Sequence, residues 1–473
     1  MIADAVSRGD AAVTGRSGAT PWRMAHQIGK RLSWGVADQA VSSLTNFAVS
    51  IYVARVLGAA QLGAFSLAYV TYGFMLNASR GLATDPLLVR FSGAELPIWR
   101  RAVANCTGTA ACVGLASGVC ALIASLFLHG TASQAFLALG ITLPGLLLQD
   151  SWRFAFFALE KGAQAFLNDL IWVLAMFPAL FLLNRSGHAN VFWFVLVWGA
   201  AAGVAAAAGP LQARVIPRLA GARQWISSTR DLGFRYLLEG TTNSASTQFR
   251  NYGVGLLLGL TALGYVQASS TLMGPFMVIF FGMGLVTLPE AARILRRSPR
   301  HLPLFCIGVS GGLAVAGLLW GLVLLFALPR GLGQWILPGL WQPTYPLVLP
   351  LTISVVGGCV SAGAGCGLHA LGAANRSLRA MVLSSAVYVV CGVAGAAVGG
   401  VEASMQGIAV AGWVGAAIFW LELRAALRES HNVRLNLFAR RKLPSRQRKH
   451  RRSYFPPHLP PCSKIFGKNS AKS

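Results

Sequence analysis

The sequence predicts an all-α polytopic membrane protein, and three observations carry that prediction. Apolar windows long enough to cross a bilayer recur along the chain, the Lys and Arg between them collect on one side, and the polar pattern of the first window returns 201 residues later. A window needs about 20 residues, because a helix rising about 1.5 Å per residue must cover roughly 30 Å of hydrocarbon. With 55% hydrophobic and 11% charged residues among 473, the composition excludes a soluble globular domain.

Residues 1–33 are polar and carry Arg8, Arg16, Arg23, Lys30 and Arg31, as expected of a cytoplasmic N-terminal segment. The apolar run behind them is too long for the core of a cleaved signal peptide, so the first helix is expected to be an uncleaved anchor. That helix, 34–57, places Asp38, Ser42, Thr45 and Asn46 at i, i+4, i+7 and i+8, one polar stripe that cannot face lipid. Spans at 62–84 and 102–127 follow, the latter behind Arg100 and Arg101 and with Gly114 and Gly118 spaced for close helix approach. The next two, 134–159 and 165–183, contain Pro144 and Pro178, each of which removes a helix hydrogen bond and permits a bend. A sixth, 190–213, stops at Arg214 and completes an expected N-lobe of residues 34–213.

Beyond a basic cytoplasmic linker, 214–231, the pattern restarts. The span 232–259 carries Glu239, Asn243, Ser246 and Thr247 at the four stripe positions, so that Asp38 lands on Glu239. The register continues without a break: Leu57-Gly58 and Leu62-Gly63 meet Leu258-Gly259 and Leu263-Gly264, LGxxxLG in both copies. A weaker echo pairs Ala158-Leu159 with Ala370-Leu371, each ending a helix before a charged turn. Spans at 265–289 (with Pro275), 302–328, 346–371, 378–398 and 403–423 complete a C-lobe, 232–423. Gly255/Gly259, Gly308/Gly312, Gly363/Gly367 and Gly395/Gly399 repeat the small-residue spacing. The expectation is therefore twelve transmembrane helices in two pseudo-symmetric six-helix bundles.

Orientation follows from the connections. Of the 40 Lys and Arg, 34 lie on the side of the N-terminus and only Arg185 and Arg330 on the other, which places both termini in the cytoplasm. The longest outer connection, Pro329–Tyr345, is too short for a domain. The final segment, 424–473, contains RRKLPSRQRKHRR and is expected to be a disordered basic tail on anionic headgroups. It holds much of the +26 net charge, and because it adjoins a membrane span it argues against a nucleic-acid partner. Seven of the eight cysteines (all but Cys462) lie in apolar segments, and none form CxxC, so small buried hydrophobes are expected rather than disulfides or metal ligands.

Asp38, Arg55, Arg80, Asp150, Arg153, Asp169, Glu239, Arg250 and His369 are the ionisable residues inside spans. An isolated charge at mid-membrane costs at least about 2.5–3.5 kcal/mol, so each needs a partner or a water-filled cavity. Asp150 and Arg153, three apart, either neutralise one another or serve a site. Arg250 lies one turn beyond Ser246 on the stripe of its helix, while its counterpart Val49 is apolar, an asymmetry that favours ligand binding over fold stabilisation. Asp38 and Glu239 lie nearer the inner ends of their helices, where snorkelling to water is the competing reading. For Arg80, Asp169, Arg55 and His369, solvated or hydrogen-bonded ends are the simpler reading. The sequence has no Ser/His/Asp set, metal-ligand spacing or phosphate loop, so neither an enzyme nor a cofactor is expected.

Asp38 to Ala68, DQAVSSLTNFAVSIYVARVLGAAQLGAFSLA, together with LLVRFSG at Leu87–Gly93, resembles the polysaccharide transporters and O-antigen flippases of the multidrug/oligosaccharidyl-lipid/polysaccharide (MOP) exporter superfamily. The resemblance covers roughly residues 30–425. It implies two six-helix bundles around a central cavity opening alternately to each side. It also implies outward movement of an isoprenoid-diphosphate oligosaccharide across the bacterial cytoplasmic membrane, driven by a sodium or proton gradient. On that reading Arg250, Arg153 and Arg80 bind the diphosphate, Asp38, Glu239, Asp150 and Asp169 are cation-coupling candidates, and the remaining stripe residues Ser42, Thr45, Asn46, Asn243, Ser246 and Thr247 line the cavity. Membrane lipids and glycan-synthesis proteins are the expected partners. The longer flippases resemble fourteen-helix proteins, whereas this chain has twelve predicted spans, a length shared with the multidrug and toxin extrusion branch. A cation-coupled multidrug antiporter is therefore the alternative, followed by a polysaccharide polymerase and a transport-inactive scaffold.

Overall fold

The computed structural model describes residues 21–441, with side chains described over 44–429 except at 46, 231, 232, 234–236, 238–244, 284–286, 288 and 289. Among these residues the chain is all helix and turn. It runs α1 Pro21–Ser79, a π turn Arg80–Thr84, α2 Asp85–Phe91, α3 Leu96–Phe127, α4 Gly130–Ala158, α5 Gly162–Arg185 and α6 Val191–Ala213. It continues with α7 Ala222–Leu272, α8 Gly274–Arg297, α9 Leu302–Ala327, α10 Trp341–Ala370 and α11 Ala374–Arg441. By contacts the chain divides into two units, Met1–Leu423 and Arg424–Ser473, and in the second the described residues continue α11 to Arg441.

Nine helical runs among the described residues are long and apolar enough to cross a membrane, against the twelve spans expected. Most of the difference lies at glycines, and the expected span 265–289 is divided between the end of α7 and α8, whose described apolar stretch Gly274–Met283 is short of a crossing. The expected breaks after residues 57, 259 and 398 are not loops but kinks inside α1, α7 and α11, at Gly58 (φ 75°, ψ 179°), Gly259 (φ 82°, ψ 174°) and Gly399–Gly400. The first two occupy a backbone region open essentially to glycine alone, which redirects the chain within one residue. Gly58 and Gly259 are also the first glycines of the two LGxxxLG copies.

Other boundaries shift for local reasons. The second expected span ends early, at Ser79, where the helix widens into the π turn before Pro86 opens α2. Pro275 does not bend its helix but starts α8 from the first turn, whereas Pro144 and Pro178 do lie inside helices. The echo pair holds in three dimensions: α4 ends at Ala158 and α10 at Ala370, with positive φ two residues on at Glu160 (62°) and Gly372 (68°). The linker is built into the N-terminal half. The Arg218 amide donates to the Ala104 carbonyl at 2.7 Å, Trp225 is buried among Ala83, Leu87 and Trp99, and Arg90 donates to the Ser228 carbonyl at 2.6 Å.

The two copies of the repeat meet along α1 and α7, and they meet reciprocally. A Cβ on Gly63 would lie 1.9 Å from the Leu260 carbonyl oxygen, and one on Gly264 would lie 2.0 Å from that of Ala59, its counterpart 201 residues away. Gly274 faces Phe47 as Gly73 faces Gln248, and Ser66 donates to Gln267 Oε1 at 2.8 Å across equivalent positions. One buried apolar core, from Val53 and Trp198 to Leu263 and Met405, runs through both halves. Gly114 and Gly118 likewise press on Pro144 and Gly140, while Gly308 and Gly312 face open space and serve no such contact.

Bare backbone at this seam leaves no room for a methyl group. Gly63→Ala and Gly264→Ala are expected to lower stability by about 1–3 kcal/mol, the range for overpacking, read as a lowered midpoint of thermal unfolding in detergent. Gly308→Ala, where a methyl meets nothing, is the control and should leave the midpoint unchanged or higher.

Candidate functional site

Four of the predicted charges converge inside the N-terminal half. The π turn aims Arg80 at α4, where its Nε and Nη2 donate to the two carboxylate oxygens of Asp150 at 2.9 and 2.6 Å. This two-pronged geometry is the strong form of a charge-assisted hydrogen bond, and the guanidinium also lies 4.9 Å from the Phe154 ring centre. Arg153 is 3.5 Å from Asp150 on its own helix and closer, 3.0 Å, to Asp169 of α5. The sequence-local pair is therefore the weaker contact, and the partners that matter are brought by other helices.

Neutral side chains complete the network. Gln149 donates to Asp169 at 2.8 Å and to Asn168 at 3.2 Å, and Asn168 donates to Gln212 and to the Ala205 carbonyl of α6, both at 2.9 Å. Asp150, Asp169 and Arg153 are 3, 2 and 9% exposed, so Asp169 is not the solvated helix end its position in sequence suggested. Two arginines face two aspartates. Removing a carboxylate leaves a guanidinium short of its partner at a site largely withdrawn from water.

Arg250 is held differently. It is 3% exposed on α7, between the two arms of α11. Its Nη2 donates to Asn251 at 2.6 Å, its Nη1 reaches the Met405 sulfur at 3.6 Å, and its guanidinium lies 5.6 Å from the Tyr388 ring centre. Nε is buried without a hydrogen-bond partner, and among the described residues no carboxylate pairs with this side chain. Room for the Arg250 stem comes from Gly392, where a Cβ would lie 2.8 Å from Cγ. The site thus offers a desolvated cation with soft, neutral neighbours.

The remaining predicted residues are scattered. Thr45 and Ser246 are half-buried and Thr247 is exposed, while the side chains of Asp38, Ser42, Asn46, Glu239 and Asn243 lie outside the described residues. Arg55 donates to the Trp335 carbonyl, and His369 Nδ1 lies 2.8 Å from the Gly365 carbonyl, as expected of helix ends. Sequence reasoning missed Gln149, Asn168, Asn251, Tyr388, Met405 and Gly392. The first three adjoin predicted charges, a usable signal; the others come from distant helices with none.

No protein-family model and no curated protein matches the chain. Solved structures do. The inward-closed lipid II flippase MurJ superposes with a TM-score of 0.63 at 11% identity, over 86% of this chain and 92% of that one. An inward-facing multidrug resistance MATE family transporter of the MOP superfamily gives 0.61 at 14%, over 82 and 94%. The chain has the MOP-superfamily fold. A further MOP transporter, from Pyrococcus furiosus and described as having a binding pocket of reverse polarity, gives 0.53 at 15%, over 85 and 95%. The solved neighbours with this MOP fold are transporters, not enzymes, and they differ among themselves in cargo.

Within the network, Asp150→Asn is expected to cost about 3–5 kcal/mol, the range for breaking a buried ion pair, seen as earlier unfolding in a denaturant series. Replacing a whole pair, Arg153→Met with Asp169→Leu, should cost less than Arg153→Met alone.

Proposed function

We propose that this multi-pass membrane protein is a flippase that moves a lipid-linked oligosaccharide outward across the bacterial cytoplasmic membrane by alternating access. The observation that carries the reading is Arg250, a buried cation with no described carboxylate partner, in the MOP fold. Desolvating a guanidinium is costly unless an anion compensates it, and a diphosphate headgroup is the anion that its planar fork fits best. Arg80 and Arg153 stand behind it in the same proposal, with much of their charge already met by Asp150 and Asp169. Those two aspartates are the sites at which a proton or sodium ion would shift the balance of the network, with Asp38 and Glu239 as further candidates.

In this reading the kinks of α1 and α11 each join two crossings, and the crossing that begins at the Gly259 kink runs on into α8, giving twelve helices in two six-helix lobes, 34–213 and 232–423. The basic excess then holds both termini in the cytoplasm. The alternative, a cation-coupled multidrug antiporter, draws on the likeness to the MATE transporter. It accounts less well for an arginine with no carboxylate partner among the described residues, because a cationic drug calls for carboxylates.

In the host, deletion of the gene should cause lipid-linked oligosaccharide to accumulate facing the cytoplasm, with rescue by the intact gene. Arg250→Ala should fail to rescue and Arg250→Lys should rescue only in part, at wild-type protein level. Full rescue by Arg250→Ala would overturn the headgroup assignment. Normal intermediates with heightened sensitivity to cationic compounds would favour the antiporter.

A further inference from the structure

A groove of about 730 Å³ runs between α10 and the second arm of α11, and none of the residues of either charged site lines it. Its polarity is graded. Glu402, two residues beyond the Gly399–Gly400 kink, and Gln406, one turn further, stand exposed at one end. Beyond them the walls are apolar, with Val410 and Trp413 on one side and Leu349 and Ile353 on the other, 40–59% exposed. The lining on α11 extends from Glu402 to Ala417, which at about 1.5 Å per residue is about 22 Å, more than the roughly 15 Å of one leaflet's hydrocarbon.

Two features distinguish this groove from an ordinary lipid-facing surface. Among the described residues no cation pairs with Glu402. Trp413 lies about 16 Å along the helix from Glu402, deep in the span, whereas lipid-facing tryptophan collects at the interfaces. An acid at the edge of the expected span 403–423, a neighbouring amide and an indole-walled apolar channel beyond match one amphiphile end to end.

We infer that this groove binds a diacyl phospholipid with a primary ammonium headgroup, phosphatidylethanolamine in chemical class. Glu402 accepts hydrogen bonds from the ammonium, Gln406 donates its amide to a phosphate or ester oxygen, and one acyl chain lies along Val410, Ile353 and Trp413. Pro346 and Pro350 of α10 lack the amide hydrogen that a helix would otherwise place here, and they set the opposite wall. The inference does not depend on what the protein transports.

The test is lipid competition on the full chain. Purified protein is exchanged into equal parts phosphatidylethanolamine, phosphatidylcholine and phosphatidylglycerol, and the lipids it retains are counted by native mass spectrometry. Wild type is expected to retain the ethanolamine lipid in roughly tenfold preference, the order of effect a charge-assisted hydrogen bond supplies. Glu402→Gln, at an exposed position, should remove the preference while keeping the total retained, and Val410→Trp should reduce the total. Equal retention of the three lipids by wild type, or a preference unchanged in Glu402→Gln, would overturn the inference. So would a spectrum dominated by dimers that Val410→Trp dissociates, which would make a second copy of the chain the occupant.

Discussion

Backbone-on-backbone contact between α1 and α7 is the constraint on which the rest of the structure hangs. Between hydrocarbon-embedded helices there is little hydrophobic driving force for association, and close approach through small residues takes its place. Gly63 and Gly264 allow that approach, each lying against the carbonyl of the other helix at the position equivalent to its own partner. Just before them, Gly58 and Gly259 turn the chain, so one motif supplies both the kink and the contact. The duplication therefore survives where it performs a geometric task.

Charge is distributed with the opposite logic. The repeat predicts like residues at like positions, yet the described charge clusters are asymmetric. The N-terminal half pairs buried Arg153 and partly exposed Arg80 with two buried aspartates in a network that includes Gln149 and Asn168. The C-terminal half buries Arg250 among Asn251, Met405 and Tyr388. In a medium where an uncompensated charge costs several kcal/mol, a closed network holds helices in register and an open one invites a counter-ion.

Legibility in the sequence follows the range of the interactions. Helices announce themselves through composition and window length, and the echo at Ala158 and Ala370 marks real helix ends. A glycine in a rare backbone region and a glycine in a turn look alike in a string of letters, so the short connections expected after 57, 259 and 398 take the form of kinks within α1, α7 and α11. The i,i+3 pairing of Arg153 with Asp150 is present at 3.5 Å, but it is not the shorter of that side chain's two ion pairs. Spacing along one helix proposes Asp150, and only the packing of α4 against α5 brings Asp169 half an ångström closer.

The sequence by itself determined that the chain spans membranes, that it carries a repeat at an offset of 201 residues, and which charges stand inside apolar helices. Each of those rests on periodicity and transfer energy, properties local to a window. Among the described residues, tertiary structure alone decided which of those charges pair with one another, because ion pairing acts over a few ångströms between residues far apart in the chain. The partners of Arg80 and Arg250 cannot be read from the letters around them. One has its carboxylate delivered by α4, the other meets a sulfur, an amide and a ring, and that difference is set by how the helices pack.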